Sequence, residues 1–182
     1  MLTHPARQQC PARFAYEVPS VHDLILRQAT QADVAVIVNL IRQAFEEYRG
    51  RLDPPSGAHE ETEERVRLKM ASSQVVVVLA GDVPVACVFY ERESDYLHFH
   101  RLSVLPAYRR RGVGRLLIDY VENRARALGL TGVRLGVRLA LERLRSYYDR
   151  LGYRFREYRT HSGYPEPTYA ILEKDLRRAE AG

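Results

Sequence analysis

The chain has only two cysteines, Cys10 and Cys87, and only two lysines, Lys69 and Lys174. One cysteine falls in a polar N-terminal stretch and the other in an apolar run with strand character. That separation argues against a disulfide or a cysteine-based metal site and suits a reducing cytoplasm. No apolar run approaches the roughly 20 residues that a membrane span needs. Residues 1–20 carry Arg7 and Arg13 but no apolar stretch, so they do not read as a secretory signal. Three of the nine prolines, Pro5, Pro11 and Pro19, fall there, and residues 1–22 read as a flexible tail. There is no internal repeat and no low-complexity segment.

What is present is 182 residues, 46% hydrophobic and 28% charged, enough for one soluble domain with a sizeable core. It is expected over 23–176, with a short C-terminal tail at 177–182. With lysine so scarce, the net charge of +5 is carried almost entirely by arginine. A basic balance raises nucleic-acid binding. Here, however, arginines alternate with acids at 60–67 and 142–150, and no basic stripe is interleaved with aromatics. Neither a nucleic acid nor a membrane is expected as a partner. The one dense cluster is Arg109, Arg110 and Arg111.

Residues 24–29 read as a short strand. Thr30 to Asp33 form a capping-box signal, and the helix behind it carries Val34, Ile37, Val38, Ile41, Ala44, Phe45 and Tyr48 at helical spacing. Ser56 is expected to cap a second helix supported by Glu61–Arg65 and Glu63–Arg67 pairs. Val75 to Ala80 is a β-prone run of central-strand type. Val85 to Tyr90 and Tyr96 to Val104 complete a meander. Strict alternation there puts Leu97, Phe99 and Arg101 on one face and His98, His100 and Leu102 on the other. A clean amphipathic helix runs from Val113 to Leu128, a strand from Val133 to Val137, and another helix from Leu141 to Leu151. Two strands, 153–157 and 168–172, flank a loop at 161–167. The expectation is an α/β (α+β) domain with a mixed, mostly antiparallel sheet covered by helices on both faces.

The most informative stretch is Leu102 to Leu117. A strand ends at Val104, Pro106 stops it, and the arginine cluster leads into Gly112-Val113-Gly114, where the amphipathic helix begins. Glycines in a tight turn, unpaired N–H groups and a helix N-terminus together make an anion cradle, with phosphate as its usual guest. An ordinary basic turn capping a surface helix is the alternative. No Lys-Ser/Thr follows the glycines, so this is not a Walker loop, and the third glycine of a dinucleotide fingerprint is absent.

Arg109-x-x-Gly112-x-Gly114, after a strand ending Val104-x-Pro106, resembles the acetyl-CoA-binding motif of the Gcn5-related N-acetyltransferases, the GNAT family. Tyr148, four residues before Gly152-Tyr153, resembles that family's second signature, and the element order agrees over residues 23–176. The Asn often found in the second signature is replaced, with Leu144 in its place. The resemblance implies a GNAT-like fold, acetyl-CoA as co-substrate, an amine acceptor and no metal; a homodimer is common for such folds. It implies that the thioester meets a backbone donor at Leu102, Ser103 and Val104, and that pyrophosphate sits on Arg109, Arg110, Arg111, Gly112, Val113 and Gly114. Tyr148 becomes the acid for the thiolate, with Tyr147 pointing elsewhere. The family's frequent glutamate base falls at His98, and a histidine can serve there; Glu91, Asp53, Glu60 or a water chain are alternatives. The acceptor pocket is expected from residues 48–59, including Tyr48, Pro54 and Pro55, with His100 and with His161 and Tyr164 of the 161–167 loop. Asp53, Glu60, Glu61 and Glu166 would attract a cationic amine. The missing glutamate also leaves open an acyl-CoA-binding module that has lost catalysis.

Overall fold

The computed structural model describes residues 23–177; the expected N-terminal tail, and the C-terminal one beyond Arg177, lie outside them. The elements are β1 (Leu24–Gln28), α1 (Val34–Phe45), α2 (Glu63–Ser72), β2 (Gln74–Ala80), β3 (Val83–Glu93), β4 (Tyr96–Val104), α3 (Val113–Ala127), β5 (Gly132–Arg138), α4 (Glu142–Arg150), β6 (Arg154–Arg159) and β7 (Tyr169–Asp175). The strands form one sheet in the order β1-β2-β3-β4-β5-β7-β6. Every neighbouring pair is antiparallel except β4 and β5.

The run of valines in β2 reflects burial on both faces. Val75 and Val77 pack with Cys87, Phe89, Ile37, Ile41 and Val66 beneath α1 and α2. Val76 and Val78 pack with Leu97, Phe99, Leu117, Val121 and Tyr148 beneath α3 and α4. A sheet covered on both sides has no face for polar residues, so strict alternation disappears. The Cys87 thiol sits in the first core, and burial pushes its pKa up to about 12. Among the described residues no helix is long and apolar enough to cross a membrane.

Two expectations need correction. The alternation along β4 breaks at a β-bulge. Cys87 pairs with Ser103 but Phe89 pairs with His100, so β4 carries one extra residue, and Arg101 adopts φ +51°. A bulge reverses the facing of all that follows. Leu102 and Val104 therefore join the face of Leu97 and Phe99, while Arg101 turns to the face of His98 and His100. The second correction concerns α2. Ser56 caps only a short 3-10 turn, Gly57–Glu60, and Thr62 caps the helix, accepting from the N–H of Arg65. Glu63–Arg67 forms at 2.6 Å, but Arg65 pairs with Glu60. Glu61 is turned inward at 1% exposure, held by Lys69 and by Arg101 Nε at 2.9 Å. A local i, i+4 rule cannot anticipate this, because Arg101 reaches Glu61 from a distant strand.

Lys174 does for Glu122 what Lys69 does for Glu61. Glu122, on α3, is 2% exposed; Lys174 Nζ lies 2.9 and 2.8 Å from its two oxygens, and the Tyr153 hydroxyl donates to it at 3.1 Å. The chain's only lysines each neutralise a buried glutamate, which would otherwise be costly to desolvate.

At the start of α1, Arg27 grips Asp33 with two bonds of 2.8 and 2.6 Å, and the Thr30 N–H donates to the same carboxylate at 2.7 Å. These contacts, Arg27 foremost, hold Asp33 well below the usual carboxylate range. A depressed carboxyl pKa adds stability that is fully present above the unfolded value, about 3.9, and is lost as pH falls through the folded one. Asp33→Asn is therefore expected to cost about 1 kcal/mol at neutral pH, Arg27 being partly exposed. In urea melts the gap between the two proteins should hold above about pH 4 and narrow below it.

Candidate active site

The site is built where β4 and β5 part. Their parallel ladder covers Tyr96–Phe99 against Gly132–Leu135. Beyond it β4 runs on to Val104 along β3, and β5 runs on to Arg138 along β7. The inner edges of the two strands thus diverge around an opening through the sheet.

On the α3 side the opening leads into a cavity of about 580 Å³, lined by Leu102, Val104, Val137, Leu144, Tyr147 and Tyr148, with Arg110, Gly112 and Gly114 at its end. Arg110 and Gly112 adopt left-handed backbone, φ +58° and +85°, just before α3. The first N–H groups of a helix have no intrahelical acceptor, so those of Val113, Gly114 and Arg115 are free to meet an anion. A Cβ on Gly114 would lie 3.9 Å from Leu102 and from Val104, so the helix start closely approaches the end of β4. The cradle fits a pyrophosphate. Within the arginine cluster the side chains differ. Arg109 is engaged on the protein: Nε on the Val104 carbonyl at 3.1 Å, and the two terminal nitrogens on Ala44 O and Glu47, both at 2.6 Å. Arg110 lines the cavity, and Arg111 is exposed.

Tyr148 is 5% exposed, packed edge-on against Tyr153 and tilted against Phe99. Burial raises its phenol well above the ordinary value, so it stays protonated near neutral pH and keeps a hydroxyl proton to donate. Tyr147 lines the same cavity rather than pointing elsewhere, because neighbouring residues at the helix edge flank the opening from two sides.

On the α1 side lies a second cavity, about 530 Å³, lined by Tyr48, Pro55, His98, His100, Arg101, Arg134, Arg138 and His161 among others. The two cavities share Phe45, Tyr48, His100, Arg101, Gly136, Arg138 and Leu141, so they meet at the parting of the strands. His100 lies at this junction, whereas His98 borders only the second cavity. Their rings are 5.8 Å apart, and His98 Nδ1 lies 4.0 Å from both Glu91 and Glu93. Burial lowers both histidines, His100 to about 4.

The two loops expected around the acceptor do meet. The Tyr164 hydroxyl donates to Asp53 at 2.6 Å, and Arg138 donates to the Pro54 carbonyl at 2.6 Å. Tyr48, Pro55 and His161 line the cavity; Pro54 and Tyr164 tie its loops. Three of the four acids expected to draw in an amine have other partners, Asp53 in Tyr164, Glu60 in Arg65 and Glu61 in its two cations, and the fourth, Glu166, lines neither cavity. Sequence reasoning missed Arg101, Arg134 and Arg138. The pattern Arg134-x-Gly136-x-Arg138 held a signal, since period-2 spacing sets both arginines on one face of β5 with a gap between. Among the described residues no group of three or more His, Cys, Asp or Glu could hold a metal ion.

The model of the Acetyltransferase (GNAT) family matches residues 37–153. The chain belongs to this family. Among solved structures, the GNAT domain resembles PaiA N-acetyltransferase from Thermoplasma acidophilum in complex with coenzyme A, with TM-score 0.71 and 16% identity over 84% of this chain and 99% of that one. It also resembles the ribosomal-protein-S18-alanine N-acetyltransferase of Escherichia coli, with TM-score 0.68 and 16% identity over 84% and 94%. At such identity these likenesses show the shared fold. A sequence search of curated proteins found no match.

Two outcomes follow from the site's geometry. In a histidine NMR titration His100 should stay neutral down to a midpoint near 4, and His98 should titrate below the ordinary 6.5. At the cradle, Gly112→Ala should lower stability by about 1–2 kcal/mol because of the left-handed backbone, whereas Gly114→Ala, with only ordinary contacts at 3.9 Å, should leave the thermal midpoint nearly unchanged.

Proposed function

We propose that the protein is an acetyl-CoA-dependent N-acetyltransferase that passes the acetyl group directly to a primary amine. The observation that carries this reading is the early end of the β4–β5 ladder, with cavities on opposite faces of the sheet meeting there. In this reading acetyl-CoA enters from the α3 side, its pyrophosphate on the N–H groups of Arg110 to Gly114 and its thioester at the free edge of Leu102 to Val104. The amine enters from the α1 side.

The chemistry asks three things of the chain. As the nitrogen bonds to the thioester carbon, the carbonyl oxygen becomes an oxyanion and takes a fixed backbone N–H on the β4 edge. The acceptor attacks as the neutral amine, its ammonium proton having gone to solvent, and the nitrogen then loses a second proton, far more acidic once the C–N bond forms. The proton passes to the neutral imidazole pair, His100 at the junction and His98 behind it, with Glu91 and Glu93 leading outward. The C–S bond then breaks; the Tyr148 phenol donates a hydrogen bond to the departing thiolate, which takes up its proton from solvent as CoA leaves.

Acetyl-CoA should raise the melting temperature, and a panel of amines should include one that releases free CoA. Tyr148→Phe should reduce kcat by about 100-fold with the KM for acetyl-CoA little changed. A thermal shift without turnover on any amine would leave the acyl-CoA-binding module instead; no shift and no calorimetric heat with excess acetyl-CoA would remove both.

A further inference from the structure

The acceptor cavity is richer in arginine than an amine needs. Arg101, Arg134, Arg138 and Arg159 all line it. Three of them already have carboxylate partners: Arg101 bonds Glu61 at 2.9 Å, Arg134 bonds Glu173 at 3.1 Å while stacking on Tyr96 at 3.8 Å, and Arg159 bonds Glu157 at 2.7 Å. Arg138 is different. Its one hydrogen bond goes to the neutral Pro54 carbonyl. Among the described residues no carboxylate lies within ion-pair distance of it, and its Nε is buried without a partner. Asp53 is near enough for its charge to act on Arg138, but it makes no ion pair with it, and one of its oxygens accepts from the Tyr164 hydroxyl. A guanidinium with no ion-paired acid and a buried, unpartnered Nε is costly to keep, and the terminal nitrogens of its planar fork, of which only Nη2 is bonded, match a carboxylate on the cavity side.

Its position suits an acceptor. In the register that opposes His98 to Arg134, Arg138 falls two residues beyond His100, an offset of about 7 Å along the strands. A guanidinium and a small molecule bearing both amine and carboxylate span such a distance together. The Tyr164–Asp53 and Arg138–Pro54 bonds tie the loops at this end of the cavity, which favours a compact acceptor over a protein segment.

We infer that the acceptor is a small amino carboxylate, and that Arg138 binds its carboxylate while its amine meets the thioester at the parting of β4 and β5. The amine's role rests on the acetyltransferase reading; the anion site rests on Arg138 itself. A carboxylate is favoured over a phosphate because only one of the four arginines lacks an acidic partner, too little charge for a dianion.

The test uses matched pairs: free amino acids, including ω-amino acids, against their carboxamides. Calorimetric binding is measured with and without CoA, and acetyl transfer is measured on the same pairs. At least one free acid should bind about 10- to 100-fold tighter than its amide. Arg138→Met should erase that preference, and Arg138→Lys should keep only part of it, with melting curves verifying that each variant folds. Should Arg138→Met not fold, the wild-type pairs and Arg138→Lys still decide. Equal affinity within every pair, a preference surviving Arg138→Met, or no binding by any free acid overturns the inference. Acetylation of amines with no carboxylate preference sinks this inference and leaves the acetyltransferase standing. Carboxylate-selective binding with no acetyl transfer keeps the anion site at Arg138 and removes both the acetyltransferase and the acceptor role.

Discussion

A backbone group inside a protein must find a partner, and a sheet normally supplies one on each side of every strand. Between β4 and β5 that supply stops after four paired residues. The break is sustained because each strand keeps its outer partner: β4 stays on β3 as far as Val104, across the bulge at Arg101, and β5 stays on β7 from Gly132 to Arg138. Only the inner edges are left to face a ligand. The two cavities, the cradle before α3 and the histidine pair all take their relation to one another from this break.

The ion pairs follow the same geometry. Arg109 fastens the end of β4 to the end of α1 through Val104, Ala44 and Glu47. Arg101, at the bulge, is tied back to buried Glu61, which Lys69 also holds. These contacts join segments that flank the opening without filling it. An arginine is suited to such a strut, because its fork engages several acceptors at once while its charge never titrates. Arg138, the lining arginine bonded only to a neutral carbonyl, stands out against that background.

Local features of the chain were legible where a local cause produced them. The Thr30–Asp33 box, the amphipathic faces of α1 and α3, the valine run of β2 and the glycine turn before α3 each follow from neighbouring residues, and each appears where periodicity or capping predicts it. The errors share the opposite cause. The facing of Leu102 and Arg101 was misread because a one-residue bulge is set by pairing with β3, which no alternation along β4 reveals. The start of α2 was misread because the turn that Ser56 caps ends at Glu60, and Glu61 beyond it is held inward by Lys69 and by Arg101 from a distant strand.

Turn chemistry and amphipathic spacing act over a few residues, so the elements, their order and the glycine turn that opens α3 could be read from the chain alone. Which groups meet is a matter of tertiary structure: that Arg109 is a strut, that His100 rather than His98 lies at the junction of the cavities, that Tyr147 shares the lining with Tyr148, and that Arg138 lines both cavities without an ion-paired acid. Such meetings depend on strand register and on where a ladder ends, and those are set by contacts between residues tens of positions apart.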